Sequence, residues 1–215
     1  MRCHARIFQD ASSLLTYLHS IPAPLVKIDH INFVLSVYSL KRLHREAHVL
    51  LMDAHHGSFG TCVEPDVDSW MHYVKSCAHH TEWRQAVRRV DLMQRKHGEY
   101  AVIKPDTAIF NLALSACQDR AEFYKHEHDA RQREDIETFG SFDHKWLPHN
   151  SNIHLKMKRS LWPSSVAYKL LQRMKSGGEF GDNELCKPDA LSYLHVISSF
   201  LHLASINNKQ VRERC

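Results

Sequence analysis

Glycine and proline are scarce, seven of each in 215 residues, against roughly 12% of residues in an average protein. A β-sandwich or barrel needs a turn residue about every 8–12 positions, so the shortage points away from sheet folds and toward helices. The six cysteines, Cys3, Cys62, Cys77, Cys117, Cys186 and Cys215, form no Cys-x-x-Cys pair. With no secretory signal in the opening residues, reduced thiols are expected rather than a disulfide framework. No apolar run approaches the ~20 residues that span a bilayer, so no membrane partner is expected. Nor does one sign of charge dominate, since 28 Lys+Arg face 24 Asp+Glu for a formal charge of +4. A hydrophobic fraction of 43% is too high for wholesale disorder. The expectation is a soluble, all-α protein.

The few glycines and prolines are periodic. Pro65, Pro105, Pro148 and Pro188 stand 40, 43 and 40 residues apart, and Gly57, Gly98, Gly140 and Gly181 precede them by 7 or 8. Glycine ends a helix in the left-handed conformation, and proline stops one helix or starts the next. A fixed period of helix stops predicts a helical repeat. Four residues after the position following each Pro comes an apolar anchor: Trp70, Phe110, Ile153 and Tyr193. Phe33 stands in the same way after Asp29. Helical spacing then gives the stripes Phe33/Val37/Leu40, Trp70/Val74/Cys77, Phe110/Leu114/Cys117 and Tyr193/Ile197/Phe200. Ile153/Met157/Ser160 keeps only part of the stripe. A second helix in each unit is keyed on a small residue, as in Ala11/Leu15/Leu18, Ala47/Leu51, Ala86/Val90/Met93 and Ala167/Leu171/Met174. Small residues let two helices approach closely.

These signals divide the chain into an N-terminal half repeat (1–29), repeats at 30–66 and 67–106, a unit at 107–149, a repeat at 150–189, and a C-terminal half repeat with tail (190–215). The unit at 107–149 is the poorest fit. Around Ala130 the expected core positions are Glu134 and Glu137, and charge crowds 120–137. Two readings stand: a degenerate repeat with a solvated second helix, or a charged insertion over 119–162 within one long repeat.

The segment Lys104-Pro-Asp-Thr-Ala-Ile-Phe-Asn-Leu-Ala-Leu-Ser-Ala-Cys117 resembles the start of a pentatricopeptide repeat. Glu64-Pro-Asp-Val-Asp-Ser-Trp70 and Lys187-Pro-Asp-Ala-Leu-Ser-Tyr193 do so as well. Ala86-Val-Arg-Arg-Val-Asp-Leu-Met93 and Ala167-Tyr-Lys-Leu-Leu-Gln-Arg-Met174 are similar to that family's closing helix. The tetratricopeptide repeat lacks the Pro-Asp-x-x-x-aromatic junction and runs closer to about 34 residues. The punctuation gives helix–turn–helix units of about 40 residues, and the resemblance implies that they form a right-handed α-solenoid that binds single-stranded RNA in the mitochondrion or, alternatively, the plastid. Arg2, Arg6 and the amphipathic run Leu14-Leu15-Tyr17-Leu18 are weakly like a transit peptide, with Asp10 counting against one.

In such repeats one base is read per unit by two or three side chains. The family reads it mainly through the fifth residue of the first helix and the last residue of the repeat. The resemblance therefore pairs Val34 with Asp66, Met71 with Asp106, Asn111 with His149 or Asp189, and His154 with Asp189, and leaves Leu194 without a partner. Only Asn111 in that set is a good base reader; Val34, Met71 and Leu194 have no hydrogen-bonding group. The candidate RNA contacts are Asn111, His154, Asp66, Asp106 and Asp189 at bases, with Lys145, Lys156, Lys158 and Arg159 at phosphates. The last four lie in a stretch, 144–162, that interleaves basic residues with Trp146 and Trp162 and has no carboxylate, a composition that suits phosphates and stacked bases. Arg84, Arg88, Arg95 and Lys96 are expected on a solvated outer face.

No other chemistry is signalled. The chain has 18 histidines, including His55-His56, His79-His80 and His126-Glu-His128, but adjacent helical residues point about 100° apart and no His-Glu-x-x-His accompanies them. Neither a nucleophile signature, a glycine-rich phosphate loop nor a nuclease carboxylate cluster is present. The expected protein is not an enzyme and carries no cofactor or metal. Its partners are single-stranded RNA and, beside it, organellar RNA-processing or ribosomal proteins. The competing expectation is a protein-interaction adaptor, motivated by the apolar Val34, Met71 and Leu194.

Overall fold

The computed structural model describes residues 11–60, 62–78, 81–93, 104–139, 162–176 and 186–212. Among these the chain is helical throughout, with no strand. The α-helices are α1 (Ala11–Ser20), α2 (Ile28–Lys41), α3 (His44–His55), α4 (Val67–Cys77), α5 (Trp83–Met93), α6 (Thr107–Phe139), α7 (Pro163–Ser176) and α8 (Ala190–Arg212). Among the described residues no helix is long and apolar enough to cross a membrane.

The connections follow from their residues. Arg42 adopts a left-handed conformation (φ 58°) after α2, which turns the chain into α3 almost at once. Gly57 and Gly60 both have positive φ after α3. At Gly60 a side chain is also excluded by space, because a Cβ there would lie 2.4 Å from the Cβ of Ala23. Asp66 caps α4 by accepting the Ser69 N–H at 2.8 Å, and Asp106 caps α6 by accepting the Ile109 N–H at 2.9 Å. Such a cap is worth about 1 kcal/mol.

Packing alternates with helix parity. Each even-numbered helix lies against the next even-numbered one: α2 on α4, α4 on α6, α6 on α8. The helices α3, α5 and α7 each pack on the two even helices that flank them in sequence. The odd helices share a signature: Ala11-Ser-Ser-Leu14-Leu15, Ala47-His-Val-Leu50-Leu51 and Ala167-Tyr-Lys-Leu170-Leu171, with Ala86-Val-Arg-Arg89-Val90 as a variant. Ala47, Ala86 and Ala167 are fully buried, so backbones meet closely there and the following Leu or Val fills the gap. Cys77, Cys117 and Cys186 are buried, Cys62 is exposed, and none of the four is in a disulfide.

The buried stripes expected on α4 and α6 are present. Trp70, Val74 and Cys77, and likewise Phe110, Leu114 and Cys117, are sealed from water. On α2 the stripe is displaced by two residues. Ile31, Leu35 and Tyr38 are fully buried, whereas Phe33 and Leu40 are exposed. The cause is the helix start: the residue preceding α2 is Lys27, whose N–H donates to His30 Nδ1 at 3.0 Å. Asp29 lies inside the first turn, so counting from it runs two residues late. The partial stripe from Ile153 lies outside the described residues.

A degenerate repeat at 107–149 requires a helix stop between Cys117 and Ala130. Helix α6 instead runs unbroken from Thr107 to Phe139, and α7 packs on α6 and α8 just as α3 packs on α2 and α4.

Three histidines carry a pH dependence. The His48 ring stacks on Tyr73 with centroids 5.6 Å apart, and the Arg89 guanidinium lies 5.1 Å from the same ring. The Nδ1 atoms of His48 and His72 are buried without a hydrogen-bond partner. Burial, and for His48 the nearby Arg89, holds both pKa values below the ordinary range. His195 is lowered too, by burial acting against Asp119 and Asp189. A lowered folded-state pKa means that the unfolded chain binds protons first, so stability is complete above about pH 6.5 and falls as pH drops through the histidine range. The urea midpoint is expected to decrease between pH 7.5 and pH 5.5, and His48→Gln to flatten that decrease. Equal slopes in the two proteins would show that His48 is not a source of it.

Candidate functional site

Two hydrogen-bonded clusters of the same composition occur where one even helix meets the next. At the α2–α4 junction, Asn32 Nδ2 donates to both carboxylate oxygens of Asp66, at 3.1 and 3.2 Å. The Ser69 hydroxyl lies 2.6 Å from Asn32 Oδ1 and 2.9 Å from Asp66 Oδ1. At the α6–α8 junction, Asn111 Nδ2 donates to both oxygens of Asp189 at 3.2 Å. The Ser192 hydroxyl lies 2.7 Å from Asn111 Oδ1 and 2.9 Å from Asp189 Oδ1. In both, the serine N–H donates to the aspartate at 2.8 Å, and the aspartate N–H donates to the serine Oγ at 3.2 Å.

Sequence and helix geometry build these clusters together. Asp66 and Asp189 precede the first residues of α4 and α8 and accept from the orphan N–H three residues on. Serine at that third position closes the reciprocal capping box and still reaches across to the preceding even helix. The asparagine sits in the second turn of that helix and faces the cap. Ser69 and Ser192 have no exposed surface and Asn111 only 8%, so an unpaired amide or hydroxyl here would be costly.

The electrostatics follow. Burial pushes the Asp66 carboxyl upward, but hydrogen bonds from the Ser69 N–H and hydroxyl and from Asn32 outweigh it, and the pKa falls below the ordinary carboxylate value. The Ser192 N–H and hydroxyl lower Asp189 in the same sense, against a smaller desolvation and with help from Asn111. Both aspartates are therefore ionised at neutral pH, and each fixes which way its asparagine amide points. One Nδ2 hydrogen and one Oδ1 lone pair of each amide are used inside the cluster. An amide has two of each, so among the described residues one donor and one acceptor are left over.

The intervening α4–α6 junction differs in a consistent way. Asp106 caps α6 as Asp66 caps α4, but Ile109 replaces the serine and Met71 the asparagine. Asparagine is thus matched with serine twice, and methionine with isoleucine once. Leu194 holds the corresponding position on α8 and is exposed.

The residues expected from sequence are placed as follows. Asn111 and Asp189 are brought together by hydrogen bonds. Asp66 is paired with Asn32, not with Val34. Val34 is fully buried and presents nothing to a ligand, for the register reason given for α2. Asp106 binds the backbone at its own helix start. His154, Lys145, Lys156, Lys158 and Arg159 lie outside the described residues, as does His149. Sequence reasoning missed Asn32. The signal for it is the Asp-x-x-Ser box itself, present at Asp66 and Asp189 and broken by Ile109 after Asp106.

Arg84 and Arg88 are exposed on α5, as expected. With Trp83, Val87, Asp91 and Val166 they line a shallow groove of about 160 Å³, with the Arg84 guanidinium 5.3 Å from the Trp83 ring centroid. Asp91 forms an ion pair with Arg173 of α7 across its edge. Among the described residues no group of three or more His, Cys, Asp or Glu is arranged to hold a metal ion. Comparison with protein-family models, with curated proteins and with solved structures returns no match.

Proposed function

We propose that the chain is a pentatricopeptide-type α-solenoid, right-handed and built from units of about 40 residues, that binds single-stranded organellar RNA in its processing, stability or translation. The mitochondrion is the favoured compartment and the plastid the alternative. The observation that carries this reading is the repeated Asn–Asp–Ser cluster at equivalent junctions. Each cluster fixes one carboxamide with a donor and an acceptor unused among the described residues, beside an ionised aspartate. A donor and acceptor side by side are what the edge of an unpaired base can match. Counted in the observed register, the residues facing successive nucleotides are Asn32, Met71, Asn111 and Leu194. Amides alternate with apolar side chains, so hydrogen-bonded reading falls on every second position and packing against a base face on the others. Within this reading 119–162 is an insertion in one unit, supported by the unbroken α6 and by the closure of Asn111 on Asp189. Its basic residues Lys145, Lys156, Lys158 and Arg159 supply phosphate contacts, and His154 a base contact. The protein acts by occupying RNA and not by cleaving it.

Filter binding of the full chain to short single-stranded RNA pools tests the proposal. Saturable binding at micromolar protein is expected, weakening steeply with salt because phosphate contacts release counterions. Absence of salt-sensitive binding would sink it. The second reading, a protein-interaction adaptor, is favoured by the exposed apolar side chains of α8, and a folded chain that ignores RNA would turn the choice toward it.

A further inference from the structure

The three core positions that recur on the even helices are sealed on α2 (Ile31, Leu35, Tyr38), on α4 (Trp70, Val74, Cys77) and on α6 (Phe110, Leu114, Cys117). On α8 the same positions are Tyr193, Ile197 and Phe200, and these are 40, 55 and 45% exposed. Leu194 and Leu201 beside them are exposed as well. A contiguous exposed apolar patch of this kind marks an interaction surface.

What covers such a face is visible three times within the chain. The stripes of α2, α4 and α6 are covered by the following odd helix and by the next even helix. The complementary surface is visible too. Helix α1 carries the odd-helix signature Ala11-Ser-Ser-Leu14-Leu15, yet among the described residues it packs mainly on α2 alone, where α3, α5 and α7 each pack on two even helices. Its Leu14 and Leu18 are buried, but Leu15 is only partly covered, whereas the equivalent Leu51, Val90 and Leu171 are buried. Among the described residues, one molecule thus presents an even-helix face without a following odd helix at α8, and an odd-helix face packed mainly on a single even helix at α1.

We infer that α1 of a second copy of this chain seats on α8, continuing between molecules the interface that α3, α5 and α7 make within one. The contact is head-to-tail, joining two different surfaces, so it extends copy by copy rather than closing as a two-fold dimer. It stands on packing alone and is independent of RNA binding. A different protein on α8, or a further part of the same chain folded over it, leaves the purified full chain monomeric.

Sedimentation of the purified full chain over the micromolar range tests this, with far-UV circular dichroism to confirm folding. The wild type is expected to form dimers and longer species with rising concentration. Ile197→Asp, at an exposed position, is expected to weaken association by about tenfold or more, and Leu15→Asp to do the same from the other surface. Mixing the two variants is the decisive arm. A Leu15→Asp copy retains an intact α8 and an Ile197→Asp copy an intact α1, so the mixture is expected to yield a dimer that goes no further. If Leu15→Asp disturbs α1, hydrogen exchange of the wild type supplies the readout, with protection at 11–20 and 193–201 rising together with concentration. A wild type that stays monomeric overturns the inference. So does a mixture that fails to dimerise from folded variants, or protection that rises on α8 without α1.

Discussion

Asn32→Asp is expected to destabilise the protein by about 3 kcal/mol at neutral pH, although it changes side-chain size by almost nothing. The amide donates to both oxygens of Asp66, and losing that donor leaves the carboxylate short of a partner at a cost of about 1–3 kcal/mol. A second carboxylate then stands at hydrogen-bond distance from the first. Two like charges there repel by about 1–5 kcal/mol across the range from bulk water to a protein surface, and the partial exposure of the pair keeps the figure toward the lower end. The pH dependence gives the effect its signature. In the wild type the lowered pKa of Asp66 means that its contribution is present above the ordinary carboxylate range and is lost as pH falls through the folded-state value. In the variant a shared proton relieves the repulsion, so the gap between variant and wild type is expected to narrow as pH falls toward 4. Urea unfolding at several pH values reads this directly. A gap independent of pH would mean that the paired charges are not its cause. Asn111→Asp is expected to act in the same direction at the second junction.

Phe110→Ala is expected to cost about 3–5 kcal/mol, the range for emptying an aromatic site in a packed core, because Phe110 is fully buried on α6. Tyr193→Ala, at the same register position on α8, is expected to cost about 1 kcal/mol or less in dilute solution. Tyr193 is substantially exposed, and its described partner is the Lys175 ammonium 5.1 Å from the ring centroid. Exposed sites of this kind shift stability little. The pair of substitutions therefore checks the repeat register and the exposed face of α8 together. Thermal or urea unfolding at low protein concentration measures both. Equal costs would contradict the exposure of α8 at the position that is buried on α6.

Much of the helical plan is legible in the chain because turn chemistry and apolar spacing agree. Pro65-Asp66, Pro105-Asp106 and Pro188-Asp189 each announce a helix start, and on α4 and α6 the stripe counted from them is the buried one. The same count fails on α2, because the residue before that helix is Lys27 and the nearest aspartate, Asp29, already lies in the first turn. A helix entered without a capping carboxylate leaves no punctuation to count from. The length of α6 was hidden for a related reason. Beyond Cys117 it carries neither glycine nor proline, and its charged residues look like a separate solvated element although the backbone simply continues. At the site, Asn111 was found through its place after a Pro-Asp junction, while Asn32 was hidden by the two-residue slip. The bond between asparagine and aspartate was not legible either, since it joins residues 34 apart at one junction and 78 apart at the other. Only the recurrence of Ser69 and Ser192 three residues after the aspartates hints that the cap has a third member.

The side-chain amide signals of Asn32 and Asn111 give the most direct test of the central claim, that these two clusters are where single-stranded RNA is read. In a ¹H–¹⁵N spectrum of the full chain, each amide held by its aspartate and serine should give a resolved pair of signals. Titration with short single-stranded RNA is predicted to shift both pairs, together with the methyl signal of Met71 on the helix between them. If RNA binds while Asn32 and Asn111 stay unmoved, or if it does not bind at all, the clusters are staples between helices and the proposed reading of bases is contradicted.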